Sequence, residues 1–297
     1  LFKKMFVLVP LLLLFGLFNS ASLSFAEEVD KEDNVVKAKN YIENNVTELN
    51  DILSSLEKRQ GDLDLQEIQA VIDNYYSKNP VPKELVDDKT LTIDDVFPVE
   101  KNENSVQQEE AVLDFEELIT EAKEDLAEGD SIYEFSNENG VVTVYVSKTG
   151  EVMLLDRIAV PTLNLEKNNQ VMAAAAWKTT RTERTTGIAY NAFGFKMFTI
   201  WAEGNFEYNG TSARHANADG NVQRHFWGST LVMENRAIGK KRTVTVGSYK
   251  YPEVYTRVYF EASFGIRWAG VTMTSATVEA YVGGSQTGSV YGGTKKL

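Results

Sequence analysis

His215 and His225 are the only imidazoles in the chain, and each directly follows an arginine, Arg214 and Arg224. Between them runs Asn217-Ala218-Asp219-Gly220-Asn221, a turn-like string that would bring both rings near the ends of a hairpin, with Asp219 as a third member of a metal site or an acid/base pair. Imidazoles converge on a metal through an i,i+4 step on a helix or an i,i+2 step on a strand, and a ten-residue separation supplies neither. The pattern favours two partly exposed polar residues on a basic hairpin. Glu203 and Glu207 share one face of an expected strand, about 13 Å apart at about 3.3 Å per residue. Glycosidase carboxylate pairs stand about 5 to 9.5 Å apart, so this pair does not fit by itself.

Other reaction chemistry finds less support. The chain has no cysteine, which excludes thiol nucleophiles, zinc-thiolate sites and iron–sulfur clusters. No G-x-S-x-G elbow occurs; Gly228-Ser229 follows Trp227 in a strand-like context. Gly283-Gly284 and Gly292-Gly293 precede no helix that could cradle a phosphate and read as turns. Asp87-Asp88 and Asp94-Asp95 lack the rest of a calcium loop and read as solvated charge. The residues show no catalytic motif and point to no cofactor and no metal; a glycan-acting hydrolase using Glu203, Glu207 or His225 stands third, behind an envelope-directed protein and a wall- or carbohydrate-binding module.

What remains is a set of cations among aromatics. Arg181, Arg184, Arg214, Arg224, Lys240, Lys241, Arg242 and Lys250 fall mostly in expected turns or at strand ends, where they would form a cationic rim. Arg214, His215, Arg224, His225, Trp227, Lys240, Lys241 and Arg242 are the binding candidates, and their chemistry suits an anionic, amphipathic target such as bacterial wall polymer or lipid headgroups. The competing reading makes the aromatics a core and the charges a solubilising surface.

The elements that would position these residues divide by charge. Between Glu27 and Gln170 there are 35 acidic and 13 basic residues, a balance of −22; from Val171 to Leu297 there are 8 and 15, a balance of +7. An acidic block before a basic, aromatic one suggests that the first masks or chaperones the second, the two halves touching through their opposite charge. The negative first half argues against nucleic acid as a partner.

Lys3, Lys4, the apolar run 5–18, and Ser24 and Ala26 at −3 and −1 of a cleavage position predict a secretory signal peptide over 1–26 and an extracellular protein, free or wall-associated. Val35, Ile42, Val46, Leu49, Leu53 and Leu56 predict one helix, and Leu65, Ile68, Ile72 and Tyr75 a second that Pro80 and Pro82 end. Residues 81–104 read as a linker. Ser105 and Gln108 cap an expected third helix carrying Val112, Phe115, Ile119, Ala122 and Leu126. Strands are expected at 131–135, 141–147 and 152–160, closing an acidic α+β region over 27–163.

Residues 164–176, ending in four alanines, predict a joint and a processing site at Ala176. From 177 to 297 strict alternation, as in Thr256, Val258, Phe260 and Ala262 against Tyr255, Arg257, Tyr259 and Glu261, predicts an all-β antiparallel sandwich or barrel, and an α+β chain overall. Shorter strands are expected at 187–192, 222–233 and 242–247.

The stretch Thr186-Gly187-Ile188-Ala189-Tyr190-Asn191, followed by Trp201-Ala202-Glu203-Gly204-Asn205-Phe206-Glu207-Tyr208-Asn209-Gly210, resembles large secreted bacteriocin-like precursors of Bacillus-type bacteria, of the geobacillin sort. The resemblance spans about residues 180–290 as a pattern of aromatics and turns. It implies an antimicrobial or envelope-directed protein and assigns no functional residue.

Overall fold

A computed structural model of the chain describes residues 19–59, 62–88, 90–98, 113–114, 129–160, 177–226, 231–268 and 271–297. The helical layer consists of α1 (Asn19–Lys58), α2 (Leu65–Lys78), α3 (Lys83–Asp87) and α4 (Ile93–Val96). Ala38, Ile42, Leu49 and Leu53 of α1 and Ile68, Ile72 and Tyr75 of α2 are buried at the helical spacing their sequence implies. Asp64 starts α2 by accepting from the Glu67 amide at 2.8 Å, while the Glu67 carboxylate accepts from the Asp64 amide at 3.0 Å. The helix stops at Asn79, the residue before Pro80, where continued helix would clash.

The expected linker from residue 81 is partly structured. Leu85, Leu91, Ile93 and Val96 are buried against Ala38, Ile42, Ala192 and Phe193, and Thr92 and Asp95 cap α4 reciprocally. Isolated apolar residues between acids were enough once a ready core lay beneath them. The third expected helix meets a strand instead at Leu113 and Asp114. These form β1 (Leu113–Asp114), antiparallel to Lys296 and Lys295; the remainder of that expectation lies outside the described residues.

Two antiparallel sheets follow. The first has the order β2 (Ser131–Asn137), β3 (Gly140–Val146), β4 (Val152–Val160), β6 (Thr182–Tyr190), β7 (Lys196–Tyr208) and β5 (Lys178–Thr179), with β8 (Ala213–Arg224) also paired to β7. The second has the order β1, β12 (Val290–Lys296), β11 (Val271–Gly284), β10 (Tyr249–Trp268) and β9 (Leu231–Val246). Neither is closed into a barrel, and the chain is α+β.

The period-two rule sorts the core. Val142, Val144, Val152, Leu154, Ile188 and Tyr190 face the helices and pack with Leu49, Leu53, Ile68 and Ile72. Met153, Leu155, Ala189, Phe198, Ile200 and Ala202 face the second sheet and meet Val258, Phe260, Val278 and Ala280. The first sheet is thus buried on both faces, which explains the near-continuous apolar run of β3 and β4.

Strands flanking the expected joint are neighbours in one sheet: β4 pairs with β6 from Val152 opposite Tyr190 to Val160 opposite Thr182. The acidic meander and the first basic strands are therefore one hydrogen-bonded surface, not two independently formed units. Residues 161–176, Ala176 among them, lie outside the described residues, and Ala26 lies on the backbone of α1. Among the described residues no helix is long and apolar enough to cross a membrane.

Candidate functional site

Several of the rim residues occupy different elements from those expected. Ala213–Arg224 is one strand along β7, with a single register shift opposite Asn205 and Phe206, so the string 217–221 is not a turn. His215 and His225 consequently lie near opposite ends of β8, about 33 Å apart along the strand. Nε2 of His215 is 3.0 Å from the Glu253 carbonyl, and its ring lies against Phe206. Nε2 of His225 is 2.8 Å from the Thr199 hydroxyl; burial and then Lys196 push its pKa down, which keeps it neutral at pH 7. The two rings cannot share a metal, and among the described residues no group of three His, Cys, Asp or Glu could hold one.

Most of the arginines are engaged. Arg184 donates twice to Glu203 and lies over Trp201 at 4.3 Å; Arg214 donates to Glu207 at 2.6 Å and lies over Trp177 at 4.3 Å. Glu203 and Glu207 are each held by a guanidinium, which removes them as a paired acid and base. Arg181 binds Glu183 at 2.9 Å. Arg224 donates to the carbonyls of Phe226 and Leu231 at 2.6 and 2.7 Å, tying the end of β8 to the first residue of β9. The expected strand 222–233 is thereby divided between β8 and β9, and Trp227 lies outside the described residues.

Lys240, Lys241 and Arg242 lie inside β9, opposite Tyr255, Val254 and Glu253, and not in a turn. The alternation of Thr243, Val244, Thr245 and Val246 extends the strand beyond them, and lysines suit an edge strand because they discourage further pairing. Arg242 is held by carboxylates: Nη1 and Nη2 donate to Glu279 at 2.8 and 2.7 Å, and Nε donates to Glu253 at 2.7 Å. Arg257 and Lys295 complete the shell around Glu279, which is fully buried. Burial alone would raise the Glu279 pKa, but the hydrogen bonds and charge of Arg242, with Arg257 and Lys295, hold it below the usual range. Arg242 is therefore a structural cation, and the rim contracts by that residue.

Exposed residues of the expected rim include Arg181 and Arg214, and a further exposed set lies along the β9–β10 hairpin. Lys240, Lys241, Thr243, Thr245 and Lys250 are exposed, and Tyr249 is 51% exposed, beyond a turn in which Gly247 takes φ +60°. Tyr249 stacks on Tyr251, which meets Tyr291 edge-on. No acidic residue occurs in 240–252. Sequence reasoning found the lysines but missed Tyr249 and Tyr251; the signal was tyrosine recurring at 249, 251 and 255, one face of a strand.

Comparison with protein-family models, with characterised proteins and with solved structures finds no match to the chain.

Proposed function

We propose that the chain is a secreted, non-enzymatic protein whose β-sandwich presents the end of the β9–β10 hairpin to the anionic polymer or lipid headgroups of a bacterial cell envelope, in a bacteriocin-like role. The observation that carries this reading is the hairpin: Tyr249 and Lys250 are exposed beside its turn, Lys240 and Lys241 are exposed farther back along β9, opposite Tyr255 and Val254, and no acidic residue lies between 240 and 252. Cations with an adjacent amphipathic ring suit a surface that is negatively charged and partly apolar. The acidic N-terminal segment serves as an intramolecular chaperone, because its helices cover the apolar outer face of the first sheet.

Binding of the full chain to teichoic-acid-bearing walls and to anionic vesicles, across a salt series, tests the reading. Binding should weaken steeply with salt, and Lys240→Glu/Lys241→Glu/Lys250→Glu should weaken it by about tenfold or more. Equal binding by wild type and variant overturns it. The stack of exposed Tyr249 on half-buried Tyr251 favours one second reading, a carbohydrate-binding module. That reading expects salt-insensitive binding to neutral polysaccharide and loss of it in Tyr249→Ala.

A further inference from the structure

Asp156 is a buried carboxyl with an oxygen that none of the described residues engages. It lies on β4 between Val142 and Thr186, on the face turned toward the helices. It is 2% exposed, and its Oδ1 has no hydrogen-bond partner among the described residues. An orphaned carboxyl oxygen in a folded interior is costly and calls for an explanation. Asp156 borders a cavity of about 200 Å³ that opens where α2 begins, with Asp64, Leu65 and Gln66 on the helix side and Asn139 and Ile158 on the sheet side.

The charges around the cavity select its ligand. Asp64 contributes a second carboxylate. Arg184 also borders the space, but its Nε and Nη2 both donate to Glu203, so its charge is answered locally. Glu67 faces the Asp64 amide and adds another negative group at the start of α2. The local balance disfavours an anion. A metal ion is a poor match, because among the described residues only two carboxylates border the cavity. A neutral polyol would leave the repulsion between Asp64 and Asp156 in place.

An ammonium group answers it, with three donors for the Asp156 carboxyl, an Asp64 oxygen and an amide oxygen of Asn139 or Gln66. Leu65 and Ile158 supply an apolar wall for its carbon chain. We propose that this cavity binds the ammonium group of a small primary amine. Burial first, and then Asp64, raise the Asp156 pKa to about 7 against the opposing effect of Arg184, so binding a cation would expel a proton near neutrality.

Calorimetric titration of the full chain with n-butylammonium at pH 8 tests this site. A single saturable event is expected, weakened about tenfold or more in Asp156→Asn by loss of a charge-assisted bond. Affinity should fall as the pH is lowered below about 7. n-Butanol, which has the chain without the charge, should not bind. No saturable heat, equal binding of n-butanol, unchanged affinity in Asp156→Asn, or displacement of the amine by calcium at equal concentration each overturns the proposal. A measurement on wild type stands apart from any folding defect in the variant: n-butylammonium should lower the Asp156 titration midpoint followed by carboxyl carbon NMR, and an unmoved midpoint also overturns it.

Discussion

Gly220 and Gly239 meet backbone to backbone where β8, on the first sheet, leans on β9, at the edge of the second. A Cβ on Gly220 would stand 2.0 Å from Oγ1 of Thr256 and 2.8 Å from the Gly239 amide nitrogen; one on Gly239 would stand 2.8 Å from the Asp219 carbonyl carbon. Gly239 takes φ +54° at a register shift in the β9–β10 ladder, and its amide donates to Thr256 Oγ1 at 3.2 Å. The bulge and the missing side chains together bring the two edges into contact.

Gly220→Ala should therefore cost about 1–3 kcal/mol of stability by overpacking, although alanine is compatible with a strand. Urea unfolding followed by tryptophan fluorescence checks this. A midpoint unchanged from wild type would mean that the edges separate without penalty.

The same glycine shows where sequence reading failed. Asn217-Ala218-Asp219-Gly220-Asn221 has turn chemistry throughout, yet Gly220 serves close approach between strands, a long-range requirement that no local window contains. Strand faces were legible because burial repeats with period two: Val254, Val258, Phe260 and Ala262, and likewise Val278, Ala280 and Val282, are all buried as alternation implies. The helix stripes were legible for the corresponding reason. The fate of the arginines was not, because the pairing of Arg242 with Glu253 and Glu279 depends on the register of three strands. That Tyr249 and Lys250 lie beside the hairpin turn is clear only once the hairpin length is known.

A cut between residues 164 and 176 should not release the two flanking parts from each other. Nine register pairs join β4 to β6, and the helices pack on the first sheet through apolar side chains. Among the described residues, Lys196 with Asp73 is a part-buried ion pair that links α2 to β7 at 3.0 Å, a single polar contact beside that apolar packing. Opposite net charge is thus a minor part of what joins the halves. A protease site inserted in 164–176 and cleaved should yield fragments that co-elute in size exclusion at both low and high salt; separation at high salt would restore electrostatics as the main tie.

Asp156→Asn should stabilise the chain in neutral and mildly alkaline solution. The folded-state carboxyl titrates at about 7 against an ordinary value of 3.8, so the unfolded chain releases its proton first and stability falls as the pH rises between those values. Asparagine removes that penalty. The variant should match wild type near pH 4 and exceed it at pH 8 by about 2–4 kcal/mol, since a tenfold difference in proton affinity between the folded and unfolded chain corresponds to about 1.4 kcal/mol. Denaturant melts at the two pH values decide it, and a variant no more stable than wild type at pH 8 would place the Asp156 titration in the ordinary carboxylate range.

Glu279 should be the most sensitive polar position in the second sheet. Its carboxylate is fully buried and receives Arg242 through two hydrogen bonds, Arg257 through Nη2 at 2.7 Å and Lys295 at 3.4 Å. Glu279→Ala would leave these cations facing one another across a dehydrated space, at a cost of about 3–5 kcal/mol. Arg257→Leu should cost less, because Arg242 and Lys295 remain to answer the carboxylate. Replacing Arg242 and Glu279 together by Met and Leu should recover part of the single-mutant loss, as apolar substitutes need no partner. The pH dependence has a definite sign: the folded-state pKa lies below the ordinary 4.5, so the contribution of Glu279 is complete above about pH 4.5 and disappears as the pH falls through the lower folded-state value. Wild type and Glu279→Gln should therefore differ most at neutral pH and converge in acid. Urea melts of the two proteins from pH 7 downward test the relation, and a difference that grew in acid would mean that the carboxylate is not what the three cations hold in place.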